Sequence, residues 1–460
     1  MFIGRTAELN DLNRRYQNDV FEFPVIYGRR RIGKTALITE FMKGKKGVYY
    51  MSTEESLENQ LAECSRIFFH GSETPEATFP SWQKLFDHIT DLASQERFIF
   101  VIDEYPFLAK QMPEMSSILQ KYIDNQWKDT HLFLILCGSS MSFMEKQVLG
   151  YESPLYGRRT CQYKLAPLPY YESISFFDGW NDEEKLLAYG ICGGVPLYLR
   201  FFQKYSNLRD AVIGEFISVG GHLREEPGNL LKQELREPSS YSDILSTIAY
   251  GANRQAEIAD KCGRDRNTLS VYLSNLCSLE IVTKIHPVGE KSRNKVLYTL
   301  CDNLYRFYYR FIPGSMSLIE IGLGERVYDT RILPQMSEYF GHIFEEVCLQ
   351  YVQLLIKNGT ITELYTDYGR WWGNDPSRKE QTDIDIVCMN SQALLAGECK
   401  WKSDPITMDI YDELKHRASL ISDGRNVHYA LFSKSGFTDT VKQNAADCYL
   451  YDLHDICAVN

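Results

Sequence analysis

The sequence predicts an α/β protein with a parallel sheet in its first third, a helical middle and a second α/β region at its end. Four apolar runs in residues 1–165 (FPVIYG, GVYYMS, FIFVIDE and LFLILCGSS) alternate with helical stretches, as in a parallel sheet covered by helices. From about 166 to 240 these runs stop and the chain has a helical pattern. After a stretch interrupted by Gly and Pro, 313–334, strand-like runs return and continue to 460.

Length and composition indicate a multidomain protein of ordinary globular type. The chain has 460 residues, of which 44% are hydrophobic and 24% charged, and a domain typically takes ~100–200 residues, so three or four domains are expected. The net charge of −11 excludes a uniformly basic nucleic-acid-binding protein but allows a local basic patch. Twelve singly scattered cysteines predict reduced thiols in a cytoplasmic protein. The N-terminus is unlike a signal peptide and no run reaches the ~18 apolar residues of a membrane span, so no membrane association is expected.

The stretch Phe23–Thr35, FPVIYGRRRIGKT, has the form of a phosphate-binding loop. A strand-like run ends in Gly28, and the following residues fit GxxxxGK[ST] before the helical stretch ALITEFM. Glycines let backbone N–H groups wrap phosphate oxygens at the positive end of a helix. We expect Lys34 to bind the β- and γ-phosphates of ATP and Thr35 to hold Mg²⁺. The predicted nucleotide-binding residues of the loop are Gly28, Arg29, Arg30, Arg31, Ile32, Gly33, Lys34 and Thr35.

A second stretch also supports a nucleotide-binding site. It is the strand-like run FIFVIDE, which ends in two acidic residues. Beside a phosphate-binding loop, Asp103 is placed to bind Mg²⁺ through water and Glu104 to orient the attacking water. The run LFLILCGSS ends in Ser139 and Ser140, which either sense the γ-phosphate or form a plain turn.

The segment SPLYGRRT offers Arg158 and Arg159 as arginine-finger candidates. Arg158 is the predicted catalytic residue of the two. The alternative is an exposed arginine pair without a catalytic role.

Together these motifs resemble the archaeal-type ATPases, which are relatives of the AAA+ and signalling (STAND) P-loop NTPases. The resemblance covers about residues 1–300 and rests on FIGRTAELNDL, YGRRRIGKTAL, FVIDEYPFL, PLYGRRT and GGVPLYL. It implies an ATPase core over 1–165, a helical lid over 166–240 and a winged helix. It also implies that Gly194 and Pro196 of the lid lie near the nucleotide, and that Gly4 and Arg5 lie near the adenine. The chain departs from such loops at Arg29, where proline is frequent.

Residues 241–313 have the pattern of a winged helix-turn-helix. The stretch from Asn253 to Ile285 reads as two helices around a turn at Gly263, followed by a strand, and KVLYTL completes a hairpin. Basic and amide side chains at the start of the second helix and at the hairpin tip are placed to contact DNA, although many such domains serve as spacers or protein contacts. These candidates are Arg264, Arg266, Asn267, Lys291, Arg293 and Lys295.

The stretch TDIDIVCMNSQALLAGECKW reads as a hairpin with charged residues on an otherwise apolar face. A two-residue loop at Ser391 and Gln392 places Asp385 directly opposite Glu398, with Cβ atoms ~5 Å apart. Lys400 shares that face because side chains alternate along a strand. Two such carboxylates repel each other unless a cation lies between them, so we expect both to bind Mg²⁺ or Mn²⁺. Lys400 would then position a water molecule or neutralise a phosphate.

This hairpin resembles the PD-(D/E)xK nuclease fold, with Asp385, Glu398 and Lys400 in the motif positions. Such nucleases often add an acid from the preceding helix, so the resemblance implies Glu345 as a further catalytic residue, with Glu346 as its alternative. The domain would be restriction-endonuclease-like and span 325–460. A fold that survives with a degenerate, non-cleaving site is the other possibility.

The leading hypothesis is an ATP-hydrolysing P-loop ATPase coupled to a DNA-binding winged helix and a metal-dependent nuclease-like domain. The rival hypothesis is a regulatory NTPase switch whose C-terminal domain binds protein partners without cleaving nucleic acid. The expected partners are ATP and DNA, with a homo-oligomer or a protein partner as further options.

Overall fold

The structure is a computed structural model that describes residues 2–70, 77–290 and 295–458. The predicted wing residues Lys291 and Arg293 lie outside the described residues. The chain divides into two compact units, unit 1 with Met1–Leu168 and Val195–Leu197, and unit 2 with Pro169–Gly194 and Tyr198–Asn460. None of the helices in the described ranges has the length and apolarity needed to cross a membrane.

Unit 1 is built on a five-stranded parallel sheet in the order β2-β3-β4-β1-β5. The strands are β1 Pro24–Tyr27, β2 Gly47–Met51, β3 Phe98–Asp103, β4 Leu132–Gly138 and β5 Cys161–Lys164. The central strands β3 and β4 are buried along their whole length, which explains their continuous apolar sequences. The sequence did not predict β5, because its four residues alternate between half-buried and exposed positions at the edge of the sheet.

Helices cover this sheet and bury amphipathic faces against it. The α-helices of unit 1 are α1 Thr6–Gln17, α2 Lys34–Met42, α3 Leu57–Phe69, α4 Trp82–Gln95, α5 Tyr105–Gln111, α6 Met115–Asn125 and α7 Met141–Phe143, with a 3₁₀ turn at Trp127–Asp129 and a π turn at Met144–Val148. In α4, for example, Ser81 caps the first turn, and Trp82, Leu85, Phe86 and Ile89 are buried at helical spacing.

Unit 2 begins with the helices of the predicted lid. They are α8 Tyr170–Ser173, α9 Asp182–Cys192, α10 Pro196–Phe202, α11 Leu208–Val212 and α12 Glu226–Glu234, with short turns at Ile174–Phe176 and Ile213–Ile217. Helix α10 starts within the stretch Val195–Leu197 that belongs to unit 1.

Three helices and a two-stranded antiparallel sheet follow in the order predicted for a winged helix. They are α13 Pro238–Ala249, α14 Gln255–Cys262, α15 Arg266–Ser278, β6 Val282–Ile285 and β7 Leu297–Leu300. Gly263 ends α14 with φ +61°, a left-handed conformation that favours glycine. Asp265 caps α15 by accepting from the N–H groups of Asn267 and Thr268.

The remaining helices lead into a second five-stranded sheet. The connecting helices are α16 Asn303–Phe311, α17 Met316–Glu320 and α18 Gly324–Val327, with short turns at Pro313–Ser315, Tyr328–Ile332 and Leu333–Gln335. The elements of the sheet region are α19 Met336–Lys357, β8 Asp367–Asp375, β9 Glu380–Met389, β10 Ala393–Lys400, α20 Met408–Ser419, β11 Asn426–Ser433, α21 Asp439–Asn444, β12 Cys448–Asp452 and α22 Leu453–Cys457. Its strand order is β12-β11-β10-β9-β8, with β8, β9 and β10 antiparallel and β10, β11 and β12 parallel.

Helix α9 of the lid region packs closely on α19. A Cβ atom at Gly190 would come within 2.5 Å of the Phe340 ring, so only glycine allows this approach. The Tyr339 hydroxyl donates to the Gly190 carbonyl oxygen at 2.7 Å, and Gln350 donates to the Tyr189 hydroxyl at 3.0 Å. The lid region and the C-terminal sheet region therefore share one packed interior within unit 2.

Candidate functional site

Two glycines shape the phosphate-binding loop between β1 and α2. Gly28 has φ +153°, and a Cβ atom there would come within 2.5 Å of the Leu165 carbonyl oxygen. Gly33 has φ +92° and immediately precedes α2, which begins at Lys34. Both positions require glycine for conformation or for space. Ile32 is buried, while Arg29, Arg30 and Arg31 are half-buried along the loop.

The Lys34 side chain is buried in this loop and bound to backbone oxygen. Its Nζ donates to the carbonyl oxygens of Gly28 and Arg29, both at 2.9 Å. The pKa of Lys34 is lowered, because the effect of burial exceeds the opposing effect of the nearby carboxylates of Glu104 and Asp103. The ammonium group is thus held in the loop by neutral acceptors, which phosphate oxygens can replace.

The two acids at the end of β3, Asp103 in its last position and Glu104 directly after it, are also bound by neutral groups. Asp103 accepts from the Thr35 hydroxyl at 2.9 Å and from the Tyr49 hydroxyl, so the two predicted Mg²⁺ residues are directly joined. Glu104 has φ +48°, and its Oε2 accepts from the N–H and the hydroxyl of Ser139 at 3.1 and 2.9 Å. Ser139 therefore holds Glu104 in this structure, a contact that neither the phosphate-sensing nor the plain-turn interpretation included.

Two residues at other positions of unit 1 contact the same loop. Pro196 Cγ lies 3.5 Å from the position that a Cβ atom of Gly33 would take, which places the predicted lid proline over the loop. Arg5 donates to the Ile32 carbonyl oxygen at 3.3 Å, so the N-terminal motif also reaches this loop.

Arg158, the predicted arginine finger, is engaged elsewhere in unit 1. Its guanidinium group donates to both carboxylate oxygens of Asp124 in α6, at 2.8 and 2.7 Å. It also donates to the Pro154 carbonyl oxygen at 2.9 Å. A role as a finger would require Arg158 to leave this ion pair.

The C-terminal hairpin brings the predicted acids and lysine together. Strands β9 and β10 pair Gly397 with Ile386, a register that continues to Glu398 opposite Asp385. The Cys399 N–H donates to Asp385 Oδ2 at 2.9 Å. Burial and the neighbouring carboxylates of Glu398 and Glu345 raise the pKa of Asp385 to about 7. We call the group formed by Glu345, Asp385, Glu398 and Lys400 the acidic site.

Cationic side chains hold the carboxylates of the acidic site. Lys400 forms an ion pair with the buried Glu398, whose other oxygen lies 3.4 Å from Arg417 Nη1 of α20. Glu345 contacts His342 at 3.0 Å and Arg370 Nη1 at 3.1 Å. Its neighbour Glu346 instead pairs with Arg306 at 2.8 Å, so Glu345 rather than Glu346 belongs to this group. Within the described residues, no three acid, His or Cys side chains stand at the spacing of a formed metal site.

Arg370 and Arg417 were not predicted from the sequence. Arg370 lies in β8 and Arg417 in α20, and no motif pattern marks either position. Only the pairing of β8 with β9 and the packing of α20 on the sheet bring them to the hairpin.

Comparisons with known proteins match each of the two regions to a family of its own and the whole chain to one relative. A family described as an ATPase domain predominantly from Archaea matches residues 2–202, and a family described as archaeal and bacterial proteins of unknown function matches residues 308–414. An uncharacterized protein of Methanocaldococcus jannaschii is 33% identical over 461 residues, covering 99% of this chain and 100% of the relative. The chain belongs to this archaeal ATPase family.

Two further similarities agree with the family. An uncharacterized ATP-binding protein of Methanocaldococcus jannaschii is 44% identical over 46 residues, which is 10% of this chain and 78% of the relative. The Walker-type ATPase of Pyrococcus abyssi has a similar structure, with a TM-score of 0.52, 21% identity and coverage of 67% of this chain and 96% of that one. At this identity the second similarity concerns the fold alone.

For this member of the family, the predicted P-loop α/β fold and the separate C-terminal α/β sheet are confirmed. Membership in an ATPase family supports ATP as the nucleotide of the P-loop and ATPase activity for the chain. The match at 308–414 contains Glu345, Asp385, Glu398 and Lys400, but its description assigns no function.

Proposed function

We propose that this protein is an ATP-hydrolysing P-loop ATPase that acts together with a DNA-directed, divalent-metal-dependent nuclease centre in its C-terminal region. The observation that carries the nuclease part is the convergence of Glu345, Asp385, Glu398 and Lys400 on one hairpin and its neighbouring helix. Isolated surface acids would not be buried next to one another in this way, because burial and mutual repulsion both disfavour the charged forms.

In the ATPase centre, each residue has a role that its contacts support. Lys34 would exchange the carbonyl oxygens of Gly28 and Arg29 for the β- and γ-phosphates. Thr35 and Asp103, already hydrogen-bonded to each other, would hold Mg²⁺ directly and through water. Glu104 would orient the attacking water once it leaves Ser139, and Pro196 would lie over the loop.

In the nuclease-like centre, the donor set suits a hard divalent cation. Asp385, Glu398 and Glu345 offer carboxylate oxygens, the ligands that Mg²⁺ and Mn²⁺ prefer. A bound cation would supply Lewis-acid activation of a phosphodiester and of a water molecule. Lys400 stands beside Glu398, where its ammonium group can meet the scissile phosphate. The order α19-β8-β9-β10-α20-β11 with a mixed sheet also supports the resemblance to PD-(D/E)xK nucleases.

The three-helix module, which lies between the two centres in the sequence, would provide DNA contacts. Arg266 and Asn267 are exposed at the start of α15, the position from which a recognition helix reaches base edges and phosphates. Arg264 lies just before them, with its guanidinium carbon 5.1 Å from the centre of the Tyr272 ring.

Within unit 2, packing connects α9 to the helix that carries Glu345. Helix α9 packs on α19 through Gly190 and Phe340, and α19 carries Glu345 one and a half turns further on. The chain continues from α9 through Gly193 and Gly194 into Pro196, the residue over the P-loop. A displacement of α9 would therefore also move the helix that bears Glu345.

A cleavage assay tests this function directly. The full chain is incubated with plasmid and with linear DNA in Mg²⁺ or Mn²⁺, with and without ATP, beside Asp385→Asn as the nuclease control and Glu104→Gln as the hydrolysis control. We expect metal-dependent cleavage that Asp385→Asn abolishes and that ATP modulates in the wild type. ATP hydrolysis without cleavage under every condition would contradict the nuclease part.

A regulatory ATPase switch without nuclease activity is the second candidate. The observation that favours it is that Arg370, Lys400 and Arg417 already neutralise the carboxylates of the acidic site. In this case the three basic side chains stabilise a binding surface and are not displaced by a metal ion. The same assay separates the two functions, because the switch predicts intact hydrolysis and uncut DNA.

A further inference from the structure

An irregularity in the sheet places Arg370 at the acidic site. Strand β8 pairs Gly369 with Val387 but Trp371 with Ile384, so Asp385 and Ile386 of β9 together oppose the single residue Arg370. Such a bulge re-aims the side chains around it and is frequent next to active sites. The bulge therefore turns the arginine of β8 and the motif aspartate of β9 toward the same group of charges.

The guanidinium group of Arg370 bridges two carboxylates at this position. Its Nη1 lies 3.1 Å from Glu345 Oε2 on α19, and its Nη2 lies 2.8 Å from Asp383 Oδ2 on β9. Its Nε is buried and has no hydrogen-bond acceptor within the described parts of the chain. A guanidinium group can donate five hydrogen bonds, so these two partners use only part of the hydrogen-bonding capacity of Arg370.

The surroundings of Arg370 leave it open to exchange of partners. Its side chain is 33% exposed, that of Asp383 is 45% exposed and that of Glu345 is 13% exposed, so the bridge leads from the solvent-exposed rim into the acidic site. Solvent screens the exposed side of the bridge, so the pair with Asp383 contributes little to stability. A small ligand or a polyanion can therefore compete for either partner.

We propose that Arg370 neutralises Glu345 while the acidic site lacks a divalent cation, and that cation binding frees its guanidinium group to bind a phosphate of DNA. This inference rests on the proposed nuclease function. A divalent cation attracts Glu345 more strongly than a singly charged guanidinium group does, and it repels that group from the same position. Once it is released, the planar guanidinium group of Arg370 matches the geometry of a phosphate, to which arginine binds through two parallel hydrogen bonds.

The proposal predicts opposite effects of one substitution on two ligands. In the full-length protein, Arg370→Gln removes the competitor of the cation, so Mn²⁺ should bind about tenfold more tightly, the effect of one charge at such a distance on a neighbouring carboxyl group. Titration calorimetry with Mn²⁺ alone measures this change. Arg370→Lys, which cannot bridge both carboxylates with its single amine, should fall between the wild type and Arg370→Gln.

DNA binding supplies the second measurement. In a Lys400→Ala background, which keeps the DNA uncut, Arg370→Gln should weaken binding of a linear duplex in Mn²⁺ and lower the log–log salt slope by about 0.9, the value of one phosphate contact. Without Mn²⁺ the same substitution should leave the slope unchanged, because Arg370 is then held by Glu345.

Each outcome decides for or against this role of Arg370. Tighter Mn²⁺ binding with weaker DNA binding supports it, whereas a loss of both would show that Arg370 merely maintains the site and would overturn it. If Arg370→Gln does not fold, Arg370→Lys suffices, since Mn²⁺ binding no tighter than in the wild type contradicts the competition. A wild-type protein that binds no Mn²⁺ overturns the nuclease function together with this inference, whereas cleavage of DNA with unchanged Mn²⁺ binding by both variants overturns the inference alone.

Discussion

The P-loop centre and the acidic site differ in the groups that hold their charges. In the P-loop centre, Lys34 is bound by backbone carbonyl oxygens, Asp103 by hydroxyl groups and Glu104 by Ser139. In the acidic site, Glu398 is bound by Lys400 and Arg417, and Glu345 by Arg370 and His342. Neutral groups thus bind these three P-loop residues, whereas basic side chains bind Glu398 and Glu345, and, within the described residues, only Asp385 of the three acidic-site carboxylates accepts from a backbone N–H.

This difference separates a site that is preformed from one that has to exchange ions. Replacing a carbonyl oxygen by a phosphate oxygen exchanges one hydrogen bond for another and separates no charges. A cation that enters the acidic site must displace or repel positive groups that already neutralise its ligands. We therefore expect the P-loop centre to tolerate changes of pH and salt better than the acidic site, and single substitutions test this difference.

The largest effect is expected at Lys34. Lys34→Ala should reduce ATP turnover by at least about 100-fold, the effect of removing one stabilising donor from a transition state, and should sharply weaken ATP binding. Steady-state hydrolysis and equilibrium binding of ATP measure the two effects. Unchanged binding and turnover in this variant would exclude the P-loop centre as the ATP site.

Glu104→Gln is the matched comparison in the same centre. It keeps the shape of the side chain but cannot accept a proton from water, so turnover should stop while ATP binding stays close to that of the wild type. A parallel loss of binding would mean that Glu104 shapes the loop instead of orienting water.

The next largest effect concerns Lys400 and the two hairpin carboxylates. Asp385→Asn with Glu398→Gln should abolish the rise in melting temperature that Mn²⁺ causes in the parent through linkage to the folded state. Without metal, this double variant should melt at least as high as the parent, because the repulsion between the carboxylates is gone. Lys400→Ala should keep the Mn²⁺ shift and lose cleavage.

These melting experiments require the full chain. Gly190 and Tyr189 of α9 pack on α19, so a fragment from about residue 325 would expose an apolar face of that helix. A full-length parent that shows no shift at millimolar Mn²⁺ or Mg²⁺ would exclude metal binding at the acidic site.

The pH dependence of the acidic site is expected to be of intermediate size. The pKa of Asp385 is raised to about 7, well above its ordinary value of 3.8. Mn²⁺ competes with the proton for this carboxylate, so Mn²⁺ affinity should fall up to tenfold for each pH unit below 7 and level off above it. Calorimetric titrations from about pH 5.5 to about pH 8.5, about 1.5 pH units on either side of the pKa of Asp385, measure the curve.

Stability without metal should change in the matching direction. Between about pH 4 and 7 the folded protein keeps a proton on Asp385 that the unfolded chain releases, so the free energy of unfolding falls as pH rises through this window. In EDTA, the free energy of unfolding of the wild type should therefore decrease relative to that of Asp385→Asn as pH rises. A difference that does not change with pH would mean that Asp385 titrates normally.

The same contrast explains what could be predicted from the sequence. Strands β1 to β4 and the P-loop are local features, because each is a continuous run with its own apolar or glycine pattern. The register of Asp385 and Glu398 was also predictable, because a two-residue loop fixes the pairing of a hairpin. The pairing of Glu345 with Arg370 was not, because it depends on a bulge between two strands and on the packing of α19.

The smallest effect is predicted for the three-helix module. There an aromatic ring, and not a carbonyl oxygen or a carboxylate, contacts the charged group. Arg264 is stacked on the Tyr272 ring at 5.1 Å, and Arg266 is exposed at the start of α15. An arginine that is held by a neutral ring resembles Lys34, because it can bind a phosphate without leaving a carboxylate. If both contact DNA, Arg266→Glu should lower the log–log salt slope of binding by about 0.9, and the double variant with Arg264→Glu by about twice as much.

A control for net charge makes this last measurement decisive. Lys128→Glu changes the charge of the chain by the same amount as Arg266→Glu, and Lys128 is exposed in unit 1, away from α15 in the sequence. Its salt slope should change by much less than about 0.9, because no phosphate contact is lost there, and its affinity for DNA should decrease only slightly at low salt through the long-range field. Arg266→Glu is the cleaner of the two arginine variants, since Arg264→Glu also removes the contact with Tyr272. Equal slopes for Arg266→Glu and Lys128→Glu would mean that α15 does not touch the DNA backbone, and the module would then serve as a spacer or a protein contact between the two centres.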